Sequence, residues 1–459
     1  MTLQKKLRSD KLSELLGRVR REISERIPHS PKEIGAIGNS VLNEGFCFSD
    51  NALFVERGQG PHVFDTSGNQ YVDFSLGSGT MILGHANPEV VTAVEKQIRN
   101  GSIFSRPNSL AFQYADLLSE IQPSPRKFAF CNSGAEATMR AIRAARGYTG
   151  KPVVAMVNGA WHGSNDWGLF QEDYESDPEA PKLAPRSAGI PTQIGEHLAL
   201  LPPDQNAIQA FVEENASRLA MVFAEPVQGP LPLPGAKRRL EHLRTVTRKN
   251  DVLLGFDEVV TGFRLALGGG QEYFGVEADI ISYGKIAGGG LPIGIVGTSL
   301  EIANHISANE PDAENIVYFG GTFSANPLTL SAGLATVKTL AAEAESIYPR
   351  LEETTDLFAR RMNATFERLD VPIRIAHAPS IFRFIFTDRP LRTRRDRDLL
   401  EIDRKIQDLF YDLLLLEGFH IGTNRINFLS IHHDESMLDE LAQACERAAL
   451  LMVQDGAFA

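Results

Sequence analysis

Apolar positions recur along this chain in two periods. Over residues 1–27, Leu7, Leu12, Leu15, Leu16, Val19, Ile23 and Ile27 return at roughly helical steps, which predicts an amphipathic helix ended by Pro28. An irregular, Gly-containing stretch follows to about residue 43. Residues 53–74, LFVERGQGPHVFDTSGNQYVDF, read as short strands with TSGN as a hairpin turn. Amphipathic helices are predicted from Pro88 to about Asn100 and over about 108–121.

From there short apolar runs alternate with helix formers. KFAFC, PVVAMVN, LAMVFAEPV and VLLGFDEVV are buried strands by length and content, with GAEATMRAIRAARGYTG and AKRRLEHLRTVTRKN as helices among them. That order predicts an α/β fold, a mostly parallel central sheet with helices on both faces, reaching about residue 330. The tract 171–206, rich in Pro, Asp and Glu, reads as a long surface excursion. A helical region runs on to about Leu369. IRIAHAPSIFRFIFTD and INFLSIHH then alternate like strands around a helix, RDLLEIDRKIQDLFYDLLLLEG. The expected division is an N-terminal helical arm with small strands (1–75), a large α/β domain (76–335) and a small α+β domain (336–459).

Composition narrows the function. With 46 basic against 58 acidic residues the net charge is −12, which opposes binding to nucleic acid. No apolar run approaches the roughly 20 residues a membrane span needs. Three scattered cysteines without a CxxC pair suit a reducing compartment, so a cytoplasmic location is expected. Asp10, Glu14, Glu22 and Glu25 argue against a transit peptide, leaving the first helix to pack on its own protein or on a partner subunit.

Ligands of parallel α/β sheets bind beyond the carboxyl ends of the strands. Four predicted strands end in polar motifs: CNSGAEA, NGAWHG, AEPVQG and FDEVVTG. Ser133, Gly134 and Ala135 open a helix, which reads either as an anion site built from free N–H groups or as a plain N-cap. Asp257 either faces a protonated ligand nitrogen or is a solvated loop charge. Trp161 either stacks on a planar ring or is simply packed. Lys285, in ISYGKIAGGGLPIG, is either solvated or a neutral amine able to form a Schiff base with an aldehyde, the glycines leaving room for a ring and its phosphate. A Walker phosphate loop is excluded: its first glycine would fall on Asp279, and Ile286 follows Lys285. His432-His433-Asp434 lacks metal-site spacing, so no metal is expected. Arg383 alternates with Phe382, Phe384 and Phe386 and is expected on the opposite, solvated face.

Together an anion-binding helix end, an aromatic plate, an acid on one strand and a lysine after another are the parts that pyridoxal 5'-phosphate requires. On FVERGQGPHVFDTSGNQYVDF, MILGHANPEV, NSGAEATMRAIRAARGYTG, WHG, AEPVQG, FDEVVTGFR, YGKIAGGGLPIG and GTFSANPLT the chain resembles the class III, fold-type I aminotransferases, in their glutamate-1-semialdehyde 2,1-aminomutase-like branch. The resemblance implies that Lys285 carries the cofactor as a Schiff base and later moves the proton. It implies that Asp257 keeps the pyridine nitrogen protonated and that Trp161, with His162 beside it, and Val259 flank the ring. Ser133, Gly134 and Ala135 would hold the phosphate, and Gln228 would approach the ring hydroxyl with Glu225 beside it. Thr322 would reach the phosphate of a neighbouring subunit, which makes a homodimer the expected assembly.

Three departures bear on the reaction. Ala135 stands where the aminomutases have Thr, KEIGAIGNSV lacks their substrate-binding Arg, and Arg425 stands where they have a gating Glu. A guanidinium there suits a substrate carboxylate, or else pairs with a local acid. The leading expectation is therefore an aminotransferase moving an amino group from an amino acid or amine donor to a carbonyl acceptor. The alternative is intramolecular transfer of the aminomutase type. A non-catalytic binding protein is disfavoured because Lys285 and Asp257 are both present.

Overall fold

The structure is a computed structural model and describes residues 3–27, 53–178, 181–308, 315–422 and 426–458. Seven strands form the central sheet in the order Arg126–Cys131, Gly294–Ser299, Ile280–Tyr283, Leu253–Asp257, Leu219–Ala224, Val153–Met156, Leu198–Leu200. All run parallel except Gly294–Ser299, which is antiparallel to both its neighbours. Side chains alternate between two cores. Val154, Met156, Met221 and Phe223 pack with Ala137, Ala141 and Ala145 of the helix Gly134–Thr149. Val153, Ala155, Val222 and Ala224 join Leu240 and Leu243 of the helix Ala236–Lys249 on the other face. Burial on both faces is why these strands are nearly continuous apolar runs.

The predicted helices over 88–100 and 108–121 form as Pro88–Asn100 and Ser109–Glu120, each opened by an asparagine whose side chain accepts N–H bonds of the first turn. The 53–74 segment forms Val55–Gln59, His62–Asp65 and Gln70–Asp73, and this small sheet is completed by Phe419–His420 from far along the chain. Asp73 fastens that junction: its carboxylate meets His85 Nε2 and His420 Nδ1, each at 2.8 Å. The helix Leu3–Arg26 buries Leu15, Val19 and Ile23, followed by buried Ile27, and packs against the helix Arg404–Leu416, so the arm lies on its own protein.

Three expectations need correcting. The tract 171–206 is not a featureless excursion: it holds the hairpin Phe170–Glu172 with Leu183–Pro185, and Leu198–Leu200 is the edge strand of the main sheet. The helix drawn through 397–418 is two helices, Arg394–Leu400 and Arg404–Leu416, because Asp403 caps the second by accepting the Lys405 N–H. Arg383 is not solvated. It lies on the strand Ile381–Ile385, which is buried throughout, and is only 5% exposed because both faces of that strand are covered. The cluster at 432–434 is structural as well. His433 is fully buried, with Nδ1 2.8 Å from Ser430 Oγ, and Asp434 caps the helix Glu435–Gln454. Among the described residues no helix is long and apolar enough to cross a membrane.

Candidate active site

The carboxyl ends of the parallel strands open on one cavity of about 1120 Å3, large enough for a cofactor and a substrate together. Gly134, Ala135, Trp161, His162, Glu225, Asp257, Val259 and Lys285 all line it. These positions span 152 residues of sequence and meet because each lies at the carboxyl end of a strand, in the loop after it or at the start of the helix that follows.

Lys285 follows Ile280–Tyr283 and holds φ at +48°, in the left-handed region that costs a non-glycine residue on the order of 1–3 kcal/mol. Strain of that size at a cavity wall is retained where the direction of the side chain matters. Burial lowers the affinity of the Lys285 amine for its proton, and Arg264 adds to this, while Asp257 and Glu225 act the other way. The net lowering favours the neutral, nucleophilic amine.

Asp257 ends the neighbouring strand, buried at 4% exposure. Its Oδ1 accepts the Val259 N–H at 3.1 Å, and its Oδ2 is 2.8 Å from Nδ1 of His162. The imidazole of His162 is itself buried and lies 4.4 Å, ring to ring, from Phe223 of the next strand. Its Nε2 is buried with no hydrogen-bond partner among the described residues. The His162–Asp257 pair thus holds one carboxylate rigidly at the cavity wall, where it can face a protonated nitrogen.

At the phosphate end, Ser133 caps the helix Gly134–Thr149: its Oγ accepts the Glu136 N–H at 3.1 Å, and Gly134 and Ala135 present their backbone to the cavity. No larger residue than glycine fits at 134, since a Cβ there would come within 2.7 Å of Val259 Cγ1. Gly163, at φ +89°, packs on the Ala135 backbone and so fixes the Trp161–His162 loop against that helix end. Glu225 accepts the Trp161 N–H at 2.9 Å; burial first, then Asp257, pushes its carboxyl up to about 7. Trp161 is half-exposed, with the Arg186 guanidinium 4.9 Å from its ring centroid.

Other expected positions lie differently. Gln228 is buried outside the cavity lining, its amide donating to Asn158 O at 2.8 Å. Thr322 is exposed and is not among the residues that line this cavity within its own chain. Arg425 lies outside the described residues. Arg383, by contrast, lines the cavity, as do Arg394 and Arg397 from the helix Arg394–Leu400. Periodicity could not reveal these arginines, because it does not report which faces of the C-terminal elements turn towards the large sheet.

The residues fit pyridoxal phosphate. A strained lysine with a lowered proton affinity, a buried acid oriented by histidine and a helix end stripped to glycine and alanine open on one volume. When bound, the cofactor supplies an electron sink that none of the twenty side chains provides.

Comparison with known proteins agrees. Residues 48–382 match the family model of the class III aminotransferases. The glutamate-1-semialdehyde 2,1-aminomutase of Archaeoglobus fulgidus is 35% identical over 402 residues, 86% of this chain and 92% of that protein. The protein of the same name from Methanocella arvoryzae is 33% identical over 402 residues, 86% and 91% of the two chains. Among solved structures, an omega-transaminase from Sphaerobacter thermophilus superposes with a TM-score of 0.86 at 29% identity, covering 93% of this chain and 99% of that one. A glutamate-1-semialdehyde aminomutase from Pseudomonas aeruginosa PAO1, at 24% identity and a TM-score of 0.83 over 96% and 98% of the chains, shares the fold. The chain belongs to the class III aminotransferases, fold-type I enzymes dependent on pyridoxal phosphate.

Proposed function

We propose that the protein moves an amino group on a small carbonyl-bearing substrate at Lys285, by intramolecular transfer of the glutamate-1-semialdehyde aminomutase type. The observation that carries amino-group chemistry is the convergence of Lys285 and the His162–Asp257 pair on one cavity. The intramolecular form is supported by relatives of that name at 33–35% identity over 86% of the chain. In this reading Lys285 Nζ would hold the cofactor and, when free of it, would accept and return the proton at the reacting carbon. Asp257 would keep positive charge on the ring nitrogen, and the N–H groups of Gly134 and Ala135 would hold the phosphate. Thr322 serves the partner's site in a homodimer.

A second reading, transfer between separate donor and acceptor molecules, is favoured by the arginines that line the cavity and by the absence of the aminomutase arginine from KEIGAIGNSV. Both are tested on the cofactor-loaded protein by absorbance and product analysis. Conversion of glutamate-1-semialdehyde to 5-aminolevulinate without an added donor supports the first reading. Bleaching by an amino donor with release of one equivalent of carbonyl product supports the second. Lys285→Ala should lose the cofactor's visible band and lower either activity by at least about 1000-fold. A Lys285→Ala enzyme with full turnover would remove the basis of both.

A further inference from the structure

One wall of the cavity carries more positive charge than the chemistry above uses. Arg394 and Arg397 lie on the cavity lining, and Arg186 sits over the ring of Trp161, which lines it too. Arg186 and Arg394 also share a narrow side recess with Asn158, Gly159 and Tyr174. These arginines come from two distant parts of the chain, the tract after Leu183–Pro185 and the helix Arg394–Leu400.

Their partners are unequal. Arg397 is held firmly: Nε is 2.8 Å from Asp398 Oδ1, Nη2 bonds the same oxygen, Nη1 donates to Pro230 O at 2.6 Å, and Glu401 lies 3.8 Å away. Arg394 has a looser contact, Nε to Asp398 Oδ2 at 3.4 Å. That same oxygen already accepts the Tyr174 hydroxyl at 2.6 Å. Arg186 has no carboxylate within ion-pair distance among the described residues. Around this wall Arg383, Arg394, Arg397 and Arg404, with Arg186 beside them, stand against Asp398, Glu401 and Asp403. Burial first, and then the nearby Arg394 charge, make Arg186 a weaker base than usual, while Tyr174 and Asp398 act the other way.

The cluster is also built rigidly. Arg395, on the same helix, clamps the hairpin tract through Glu172 Oε1 at 2.7 Å and the carbonyls of Tyr174 at 2.6 Å and Ser176 at 3.0 Å. A Cβ on Gly159 would come within 2.6 Å of Arg394 Cβ, so the loop carrying Trp161 and the arginine helix are in direct contact. An excess guanidinium fixed at a half-buried wall is an anion site, since planar forks bind carboxylate and phosphoryl oxygens two at a time.

We propose that Arg186, Arg394 and Arg397 form a subsite for a second anionic group of the substrate, a carboxylate or phosphoryl group remote from the reacting carbonyl. This rests on the amino-transfer reading for the word substrate, but its test does not depend on turnover. Ligand binding to the cofactor-loaded protein is followed by tryptophan fluorescence, because Arg186 lies against Trp161. The probes are butyrate, succinate and 3-phosphonopropionate, each with a four-atom backbone and differing in the second charge.

The wild-type protein should bind one of the two doubly charged acids at least about 10-fold tighter than butyrate, and the better of them identifies the anionic group. Arg186→Met and Arg394→Met should each erase most of that ratio, and Arg186→Lys should restore part of it. Arg186 is half-exposed, so its substitution spares the core, and melting temperature checks this. Equal binding of all three acids by the wild type, or an unchanged ratio in both methionine variants, overturns the subsite. Failure of every amino donor to react, with the binding ratio intact, would instead count against the amino-transfer reading.

Discussion

Glu225 shows how a single buried carboxyl can set a pH dependence. It is buried beside Asp257, and both burial and that neighbour push its proton affinity up to about 7 from an ordinary 4.5. Below pH 4.5 the group is protonated whether the chain is folded or not, and folding bears no penalty. As pH rises through 4.5 to 7 the unfolded chain ionises freely while the folded one resists, so stability is lost across that window. Glu225→Gln keeps an acceptor for the Trp161 N–H and removes the ionisation. The variant should gain on the wild type by about 3 kcal/mol between pH 4.5 and 8, read from urea unfolding of the cofactor-free proteins. An equal difference at both pH values would mean that Glu225 does not titrate in this window. Much at this scale was legible in the sequence, because Lys285, Asp257 and Glu225 sit in short motifs directly after apolar strands. What was not legible is how hydrogen bonds are shared. The Ser133 hydroxyl caps its own helix, the Gln228 amide holds Asn158, and Arg383 is covered on a face that alternation leaves undecided.

Between elements, the contact that braces the cavity-lining helix Arg394–Leu400 is the one with the hairpin Phe170–Glu172 and Leu183–Pro185. Its centre is Arg395 against Glu172, which is 3% exposed. Removing the arginine leaves a buried carboxylate with Asn158 Nδ2 as its remaining donor, at 2.6 Å. Loss of one partner from a buried pair costs about 3–5 kcal/mol, far more than the pair contributes over an apolar replacement. Arg395→Ala should therefore lower the unfolding free energy by roughly 3 kcal/mol and speed proteolysis within residues 171–185. Unchanged cleavage there would show that the hairpin is held by its own packing. The sequence did not disclose this contact. Its helices and strands follow from period and caps, but the partners lie more than 200 residues apart and neither segment carries a pattern that names the other. The same limit hid the return of Phe419–His420 to the N-terminal sheet, where two backbone positions and the Asp73–His420 bond decide the pairing.

On the scale of the whole molecule, one surface is strongly apolar among the described residues. Ile316, Tyr318 and Phe323 are all exposed, Tyr318 by 73%. Asn108 Nδ2 donates to Ala325 O at 3.0 Å, which brings this loop beside the segment bearing exposed Phe104 and Phe112. The loop is not loosely attached: Arg143 donates to Tyr318 O at 3.0 Å, and Arg140 to Phe319 O and to Gly320 O. Five large apolar side chains on a firmly held surface mark an interaction site. Thr322 lies in the middle of the loop, exposed and not part of its own cavity's lining. A twofold dimer joined here would offer each Thr322 to the partner and bury the patch in one step. Tyr318→Asp with Phe323→Asp places two charges where apolar contact is expected, on side chains that carry no weight in the folded chain. Sedimentation should give a dimer for the wild type at micromolar concentration and a monomer for the double variant. The monomer should keep its far-ultraviolet dichroism yet hold the cofactor at least about 10-fold more weakly, since each site would lack the partner's Thr322. A double variant that sediments as the wild type does would place the dimer contact elsewhere. A monomer with undiminished cofactor affinity would show that each site is complete within one chain.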